Sequence, residues 1–283
     1  MATLARMTPV LLAFDTSTEA LAVALQWPGG QLAWNGEGGA QASAALLPTV
    51  QRLLDEAGIA LAGLDAIAFG CGPGAFTGLR TACSVAQGLA FGADKPVLPI
   101  DSLLIVAEDA RFRQGLPAAL DVAVAMDARM GEVYAARYRW AEGAWHTMQA
   151  PGLWEPRAWL ASAGAATCGL DREAGGLVWA GNGLPLLEPL AQPLNALSNA
   201  LSQGPASSSP SPLTERAAPG DGAPAVTVTA DRACEDRAAA LLRLADQAWR
   251  EGRAVAAQKA LPVYLRDKVA LTTAERLALK AAS

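Results

Sequence analysis

"FGCGPGAFTGLR", residues 69–80, sets four glycines and a proline between two apolar runs. Upstream, "DAIAFG" is a short continuous apolar segment of the kind that forms a buried strand. Downstream, Leu79, Ala82, Cys83, Val85, Ala86, Leu89 and Ala90 recur at helical spacing and predict a helix over Thr77–Phe91. The stretch is therefore a strand-to-helix turn, and its chemistry can be tested against known phosphate loops. A Walker A loop needs lysine after its last glycine, whereas Leu79 follows Gly78. A dinucleotide fingerprint is met loosely by Gly70, Gly72 and Ala75, with Asp101 after the next strand. Three strands precede the motif, however, and Pro73 and Phe76 stand where a pyrophosphate would approach backbone amides. A nicotinamide-dependent oxidoreductase is thus the third choice. Turning the chain and launching a helix is the main role left for the loop, beside occasional anion binding at the helix N-terminus near Thr77 to Leu79.

Working outward, "PVLLAFDTST" predicts a buried strand ending at Asp15, and "EALAVALQW" and "GQLAWNG" complete a three-stranded meander around a "PGG" turn. "SAALLPTVQRLLDEAG" predicts a helix over Ser43–Ala57, with Ser43 as cap, Gly58 as stop and Pro48 starting or kinking it. "PVLPI" is the strand after the glycine-rich loop's helix. The order then begins again in "DVAVAMDARMGEVYAARYRWAEGAWHTM": a strand ending at Asp127, a turn at Gly131, a strand from Glu132 to Trp140 and a short one around Trp145. "LVWAGNG" is the later buried strand of this part. The shared layout is a weak internal duplication, which predicts an α/β protein of two halves, residues 1–105 and 106–283. A Ser/Pro-rich insertion at about 196–224 interrupts the second half, too poor in apolar residues to form a packed core. "AVTVTA" predicts a strand, Cys234–Arg250 a helix with Leu241, Leu242, Ala245 and Trp249 on one side, and "ALPVYLRDKVA" closes the pattern.

Among the 283 residues, 52% are hydrophobic and 17% charged, which fits a globular chain. A formal charge of -5 argues against autonomous nucleic-acid binding. Asp15 interrupts the opening apolar run before membrane-spanning length and no small-residue cleavage site follows, so a cytoplasmic protein is expected. Cys71, Cys83, Cys168 and Cys234 form no C-x-x-C pair and read as buried thiols. With His146 as the sole histidine, two-histidine metal sites are excluded and a Ser-His-Asp arrangement rests on one candidate base. Asp15 and Asp127 each end the first strand of a half. In phosphotransferases built from two such halves, paired aspartates hold a metal–nucleotide complex, but capping of their own turns outweighs that reading here.

The blocks "LLAFDTSTEALAVAL", "LLPTVQRLLDEAG", "LDAIAFGCGPGAFTGLRTACSVAQGLAFG", "AVAMDARMGEVYAARY" and "LPVYLRDKVA" together resemble the successive signatures of the TsaB (YeaZ) family, bacterial accessory proteins of tRNA threonylcarbamoyladenosine synthesis. The resemblance implies an actin-like, sugar-kinase-like (RNase H-like) α/β fold of two duplicated halves. It implies a catalytically silent relative of TsaD, whose two metal-holding histidines this chain lacks, with no cofactor and no metal of its own. TsaD and the ATPase TsaE are the implied partners, with a homodimer when TsaD is absent and tRNA met only through the complex. On that reading Gly72, Pro73, Gly74, Phe76, Thr77, Gly78 and Arg80 launch the helix, and Leu46, Leu47, Val50, Leu54, Leu79, Cys83 and Ala86 form the partner-binding face. Many members carry a histidine and a serine before the "LLP" helix, where this chain has "GAQASAALLP". The competing enzyme reading is a sugar-kinase-class, magnesium-ATP-dependent phosphotransferase using Asp15 and Asp127, with Asp15 and Asp127 otherwise vestiges of a nucleotide cleft.

Overall fold

Leu11–Asp15 (β1) is buried along its whole length because it is hydrogen-bonded on both edges: antiparallel to Ala20–Trp27 (β2) and parallel to Ala66–Gly72 (β4). A strand covered on both faces reads as a continuous apolar run. Gly30–Glu37 (β3) pairs with β2 as the outer hairpin strand and alternates in exposure, while Val97–Asp101 (β5) lies parallel beside β4. The first sheet therefore runs β3-β2-β1-β4-β5. Leu120–Asp127 (β6), Val133–Ala141 (β7), Ala144–Trp154 (β8), Gly175–Ala180 (β9) and Thr229–Asp231 (β10) repeat that order as β8-β7-β6-β9-β10, again a meander followed by two parallel strands. The duplication seen as a faint likeness around Asp15 and Asp127 is thus one of whole topology, and the chain is a two-lobed α/β protein of the actin-like class. The computed structural model describes residues 8–165, 175–190, 229–231 and 234–266. Cys168, the insertion at 196–224 and the first four residues of "AVTVTA" lie outside them, as does the chain beyond Arg266.

Two helices, Ala42–Ala57 (α1) and Phe76–Ala93 (α2), cover the outer face of the first sheet, where Leu46, Val50, Leu54, Cys83 and Ala86 pack with Leu12, Phe14, Ile67 and Phe69. Ser43 is not the cap: α1 begins one residue earlier from a short 3-10 turn, and Gln41 at its N-cap makes no side-chain bond. Pro48 sits inside α1 on its exposed side, and the helix continues on both sides of it. Gly58, at φ 67°, closes the helix in the left-handed region as expected. Ser102–Arg113 (α3), Pro156–Ala165 (α4), Leu184–Leu187 (α5) and Arg237–Arg250 (α6) are the further α-helices among the described residues. β8 spans 11 residues, where only a short strand around Trp145 was expected, because it pairs along nearly the whole of β7.

The inner layer crosses between halves. Helix α6, late in the chain, covers the inner face of the first sheet with Ala238, Leu241, Leu242 and Ala245 against Leu11, Ala13, Leu98 and Ile100. Helix α3, which directly follows β5, instead covers the second sheet with Leu103, Val106 and Ala110. The two helices pack on each other between the lobes, and buried charges stitch that contact. Glu108, 2% exposed, accepts from Arg111, from Arg243 Nε at 2.7 Å and from Trp145 Nε1 at 3.0 Å. Asp109 accepts the backbone N–H groups of Glu235 and Asp236, and Asp236 in turn caps α6 through the N–H of Ala239. No described helix is long and apolar enough to cross a membrane.

Close approach explains one glycine of the opening motif. A Cβ at Gly78 would collide with the Thr16 carbonyl oxygen, whereas a Cβ at Gly88, exposed on the same helix, meets nothing within 4 Å. Gly78→Ala is expected to destabilise by about 3 kcal/mol through a clash that backbone must absorb. Gly88→Ala is expected to stabilise by about 0.5–1 kcal/mol by relieving glycine's entropy cost. Thermal or denaturant unfolding of the two variants checks both signs.

Candidate functional site

The turn after β1 is built by its own side chains. Asp15 accepts from the Ser17 N–H at 2.9 Å through Oδ1 and from the Ser17 hydroxyl at 3.0 Å through Oδ2, and its carboxylate is fully buried. Gly70 on β4 leaves room for that carboxylate, since a Cβ there would overlap it. From α6, Arg237 Nε donates to Asp15 Oδ2, while its Nη2 donates to the Ser17 hydroxyl at 3.0 Å and the Ser102 carbonyl at 3.2 Å. Burial alone would pull the Arg237 guanidinium down, but the Asp15 carboxylate and Cys234 beside it together more than offset this and hold it above its ordinary range. Asp15 is therefore an internally neutralised charge, with its hydrogen-bonding capacity directed into the protein.

Asp127, at the matching end of β6, behaves differently. Its backbone N–H donates to Asn182 Oδ1 at 3.1 Å, and its carboxylate caps the next turn by accepting the Arg129 N–H at 2.7 Å. It lines an interlobe cleft of about 410 Å³, together with the 17–19 turn, the 74–76 loop, Asn182 and the 263–266 segment. Asp15 lies beneath that cleft rather than in its wall, so the two aspartates are not brought together on one ligand. Among the described residues, no three His, Cys, Asp or Glu side chains converge as metal ligands.

The inner side of the glycine-rich loop is occupied by protein, while Gly74, Ala75 and Phe76 border the cleft. Ala75 N–H donates to the Ser17 carbonyl at 2.7 Å, and the Thr16 hydroxyl donates to the Gly78 carbonyl at 2.7 Å. The Gly72–Pro73 peptide bond is cis, and the side chains of Thr77 and Arg80 are exposed. The segment at Val263–Tyr264 lies over the loop: Val263 N–H donates to the Cys71 carbonyl at 2.7 Å, and the Tyr264 ring lies 4.8 Å from that of Phe76. Arg80 stacks 3.9 Å above the Phe76 ring and donates from Nε to the Tyr264 hydroxyl. Asp101 is equally committed. It caps α3 by accepting the Leu103 N–H and accepts the Tyr138 hydroxyl proton, and burial raises its carboxyl against those bonds. Burial also pushes the Cys71 thiol up to about 12, with the Asp101 and Asp15 carboxylates adding to it. Cys83 is buried as well, Cys234 is half-buried, and His146 is exposed on β8.

Of the seven residues expected on a partner-binding face, six belong to the chain's own interior. Leu46, Val50, Leu54, Leu79, Cys83 and Ala86 are 0–6% exposed, because the apolar stripes of α1 and α2 are what the first sheet buries. Leu47 alone is exposed, at 48%. The outward surface of the pair carries Ala44, Leu47, Pro48 and Gln51 from α1, and Ser84, Gly88 and Phe91 from α2, the last 61% exposed. Arg237 and Tyr264 went unnoticed in the sequence for want of any local signal, their partners standing 222 and 184 residues away.

A family model described as TsaD, tRNA N6-adenosine threonylcarbamoyltransferase, matches residues 39–172. The tRNA threonylcarbamoyladenosine biosynthesis protein TsaB of Haemophilus influenzae is 48% identical over 124 residues, 44% of this chain and 51% of that protein. The Escherichia coli protein of the same name is 40% identical over 148 residues, 52% of this chain and 62% of the relative. The chain thus aligns with between half and two-thirds of these two relatives' length. The solved structure of YeaZ from Pseudomonas aeruginosa superposes with a TM-score of 0.67 at 36% identity, covering 91% of this chain and all of that one.

Removing Arg237 alone would strand the buried Asp15 charge. Arg237→Met is expected to cost about 3–5 kcal/mol in denaturant unfolding, whereas the double variant Asp15→Asn with Arg237→Met recovers much of that loss. At pH 8 Cys71 and Cys234, both pushed up to about 12, are expected to resist alkylation in the folded chain and to react once it is unfolded, as followed by peptide mass spectrometry.

Proposed function

The chain belongs to the TsaB (YeaZ) family, and from that premise we propose that it is a non-catalytic subunit that supports TsaD, with TsaE, in threonylcarbamoyl transfer to the adenosine beside the tRNA anticodon. The observation that carries this reading is the buried Asp15–Arg237 pair. In a two-lobed phosphotransferase an aspartate at the end of the first strand serves a metal–nucleotide complex. Here an arginine of the chain itself supplies the countercharge, and the glycine-rich loop packs against the Thr16–Ser17 backbone and the Val263–Tyr264 segment. Asp127 alone faces the cleft, and its carboxylate is engaged in the turn that follows.

The outward surface of α1 and α2 is the docking face for TsaD, or for a second copy of this chain when TsaD is absent. Its core is Leu47, Pro48 and Phe91 rather than the buried stripe beneath. A specific contact of this kind buries about 1,600 Å² in total. Contact with tRNA comes through the complex, consistent with the net charge of -5.

A transfer assay with TsaD, TsaE, ATP and unmodified tRNA tests the role: modification is expected to depend on this chain, and the chain alone is expected to modify nothing. Calorimetry of the isolated chain with magnesium-ATP is expected to show no tight binding. Tight binding abolished by Asp127→Asn would favour the phosphotransferase reading. Leu47→Glu with Phe91→Glu is expected to leave the fold intact and abolish co-elution with TsaD, because a charge would be buried unpaired in the contact. Val50→Glu is expected to unfold the chain instead, since Val50 is 3% exposed in its own core.

A further inference from the structure

The turn between β6 and β7 is held in a conformation that its sequence does not favour. Arg129, Met130 and Gly131 are three consecutive residues in the left-handed region, at φ 65°, 58° and 75°. Side-chain-bearing L-residues adopt that region at a cost, so two of the three are strained. Two groups from outside the second sheet grip this turn. Arg266, only 11% exposed, pairs with Glu132 at 2.6 Å. It also donates to the carbonyls of Ala128 and Arg129 at 3.2 and 3.3 Å and contacts the Met130 sulfur. Glu19, from the turn between β1 and β2, takes the Arg129 guanidinium across the mouth of the cleft.

Arg266 is carried by a segment that belongs to the first lobe. That segment exchanges backbone hydrogen bonds with β5 at Val255–Val97, and its Ala260 carbonyl accepts from the Cys83 thiol and the Gln87 side chain on α2. It then bonds to Cys71 and stacks Tyr264 on Phe76 before reaching across to the second lobe. The lobes are also joined by the α3–α6 layer and its buried charges. The two lobes are thus connected by that helix layer and, separately, by this segment.

We propose that Val263–Arg266 is a releasable strap and the 128–132 turn its latch, so that letting go of Arg266 relaxes the left-handed turn and opens the interlobe cleft. The exposed Glu19–Arg129 pair contributes little by itself because solvent and salt screen it. The half-buried Arg266 fork is the group that decides. This inference concerns the motion of the isolated chain and stands whether or not the chain supports TsaD.

Native-state hydrogen exchange of the full chain tests it. Arg266→Ala, or Glu132→Gln should the first variant fold poorly, is expected to raise exchange at least tenfold at amides 17–19, 74–76 and 128–133. The amides of α1 and of the inner part of α6 are expected to stay unchanged. Adding Met130→Gly to Arg266→Ala, which removes strain without restoring the strap, is expected to slow exchange at 128–133 while leaving amides 17–19 and 74–76 fast. Unchanged exchange at the cleft walls, or a rise spread uniformly over both sheets, would overturn the proposal.

Discussion

The buried pair between Asp15 and Arg237 is the interaction on which the rest of this structure depends. It ties the end of the central strand of the first sheet to the first turn of α6, and through the Ser102 carbonyl to the start of α3. One guanidinium thereby fixes the junction of three elements that lie far apart in the chain. An ion pair so deeply buried is weak evidence for stability, because desolvation opposes the attraction. Its value lies in position: a charge that cannot be left alone dictates where α6 must begin.

Around that junction the signatures of the sequence turn out to be parts of one interlock. The "DTS" turn backs onto the glycine-rich loop, the loop accepts the Val263–Tyr264 segment, and Gly70 leaves room for the Asp15 carboxylate. Glycine at position 78 is required by a carbonyl oxygen of the protein's own chain. Composition alone does not distinguish a loop emptied for a phosphate from one emptied for a neighbouring backbone. Here the neighbour is internal, which is why the loop's resemblance to a cofactor motif was partial from the outset.

Much of the architecture was legible because its elements are periodic or continuously apolar. The central strands, the outer helices α1 and α2, and the repetition around Asp15 and Asp127 all followed from that. Helix α3 was not foreseen. It is buried among both lobes and the α6 helix, with Ser102, Glu108 and Asp109 inside as well as Leu103 and Ile105, so it presents no polar face to mark its period. The buried, sheet-facing stripes of α1 and α2 read as a partner's face for a related reason. An apolar helix face is the same in sequence whether it meets a sheet of its own chain or another protein, and only the sheet's position decides. Long-range pairs such as Arg237 with Asp15 leave no trace in local pattern at all.

The crossing of α6 onto the first sheet has a consequence for the making of the molecule. During synthesis the strands of the first lobe emerge early, yet the inner side of their sheet, with Leu11, Ala13, Leu98 and Ile100, finds most of its cover, beyond Ile105 of α3, when residues 237–250 leave the ribosome. Until then that lobe is a sheet with much of one apolar side uncovered, and transiently exposed apolar surface invites aggregation. That side of the sheet is therefore completed late, and a truncated product ending before Arg237 lacks the helix that covers most of it.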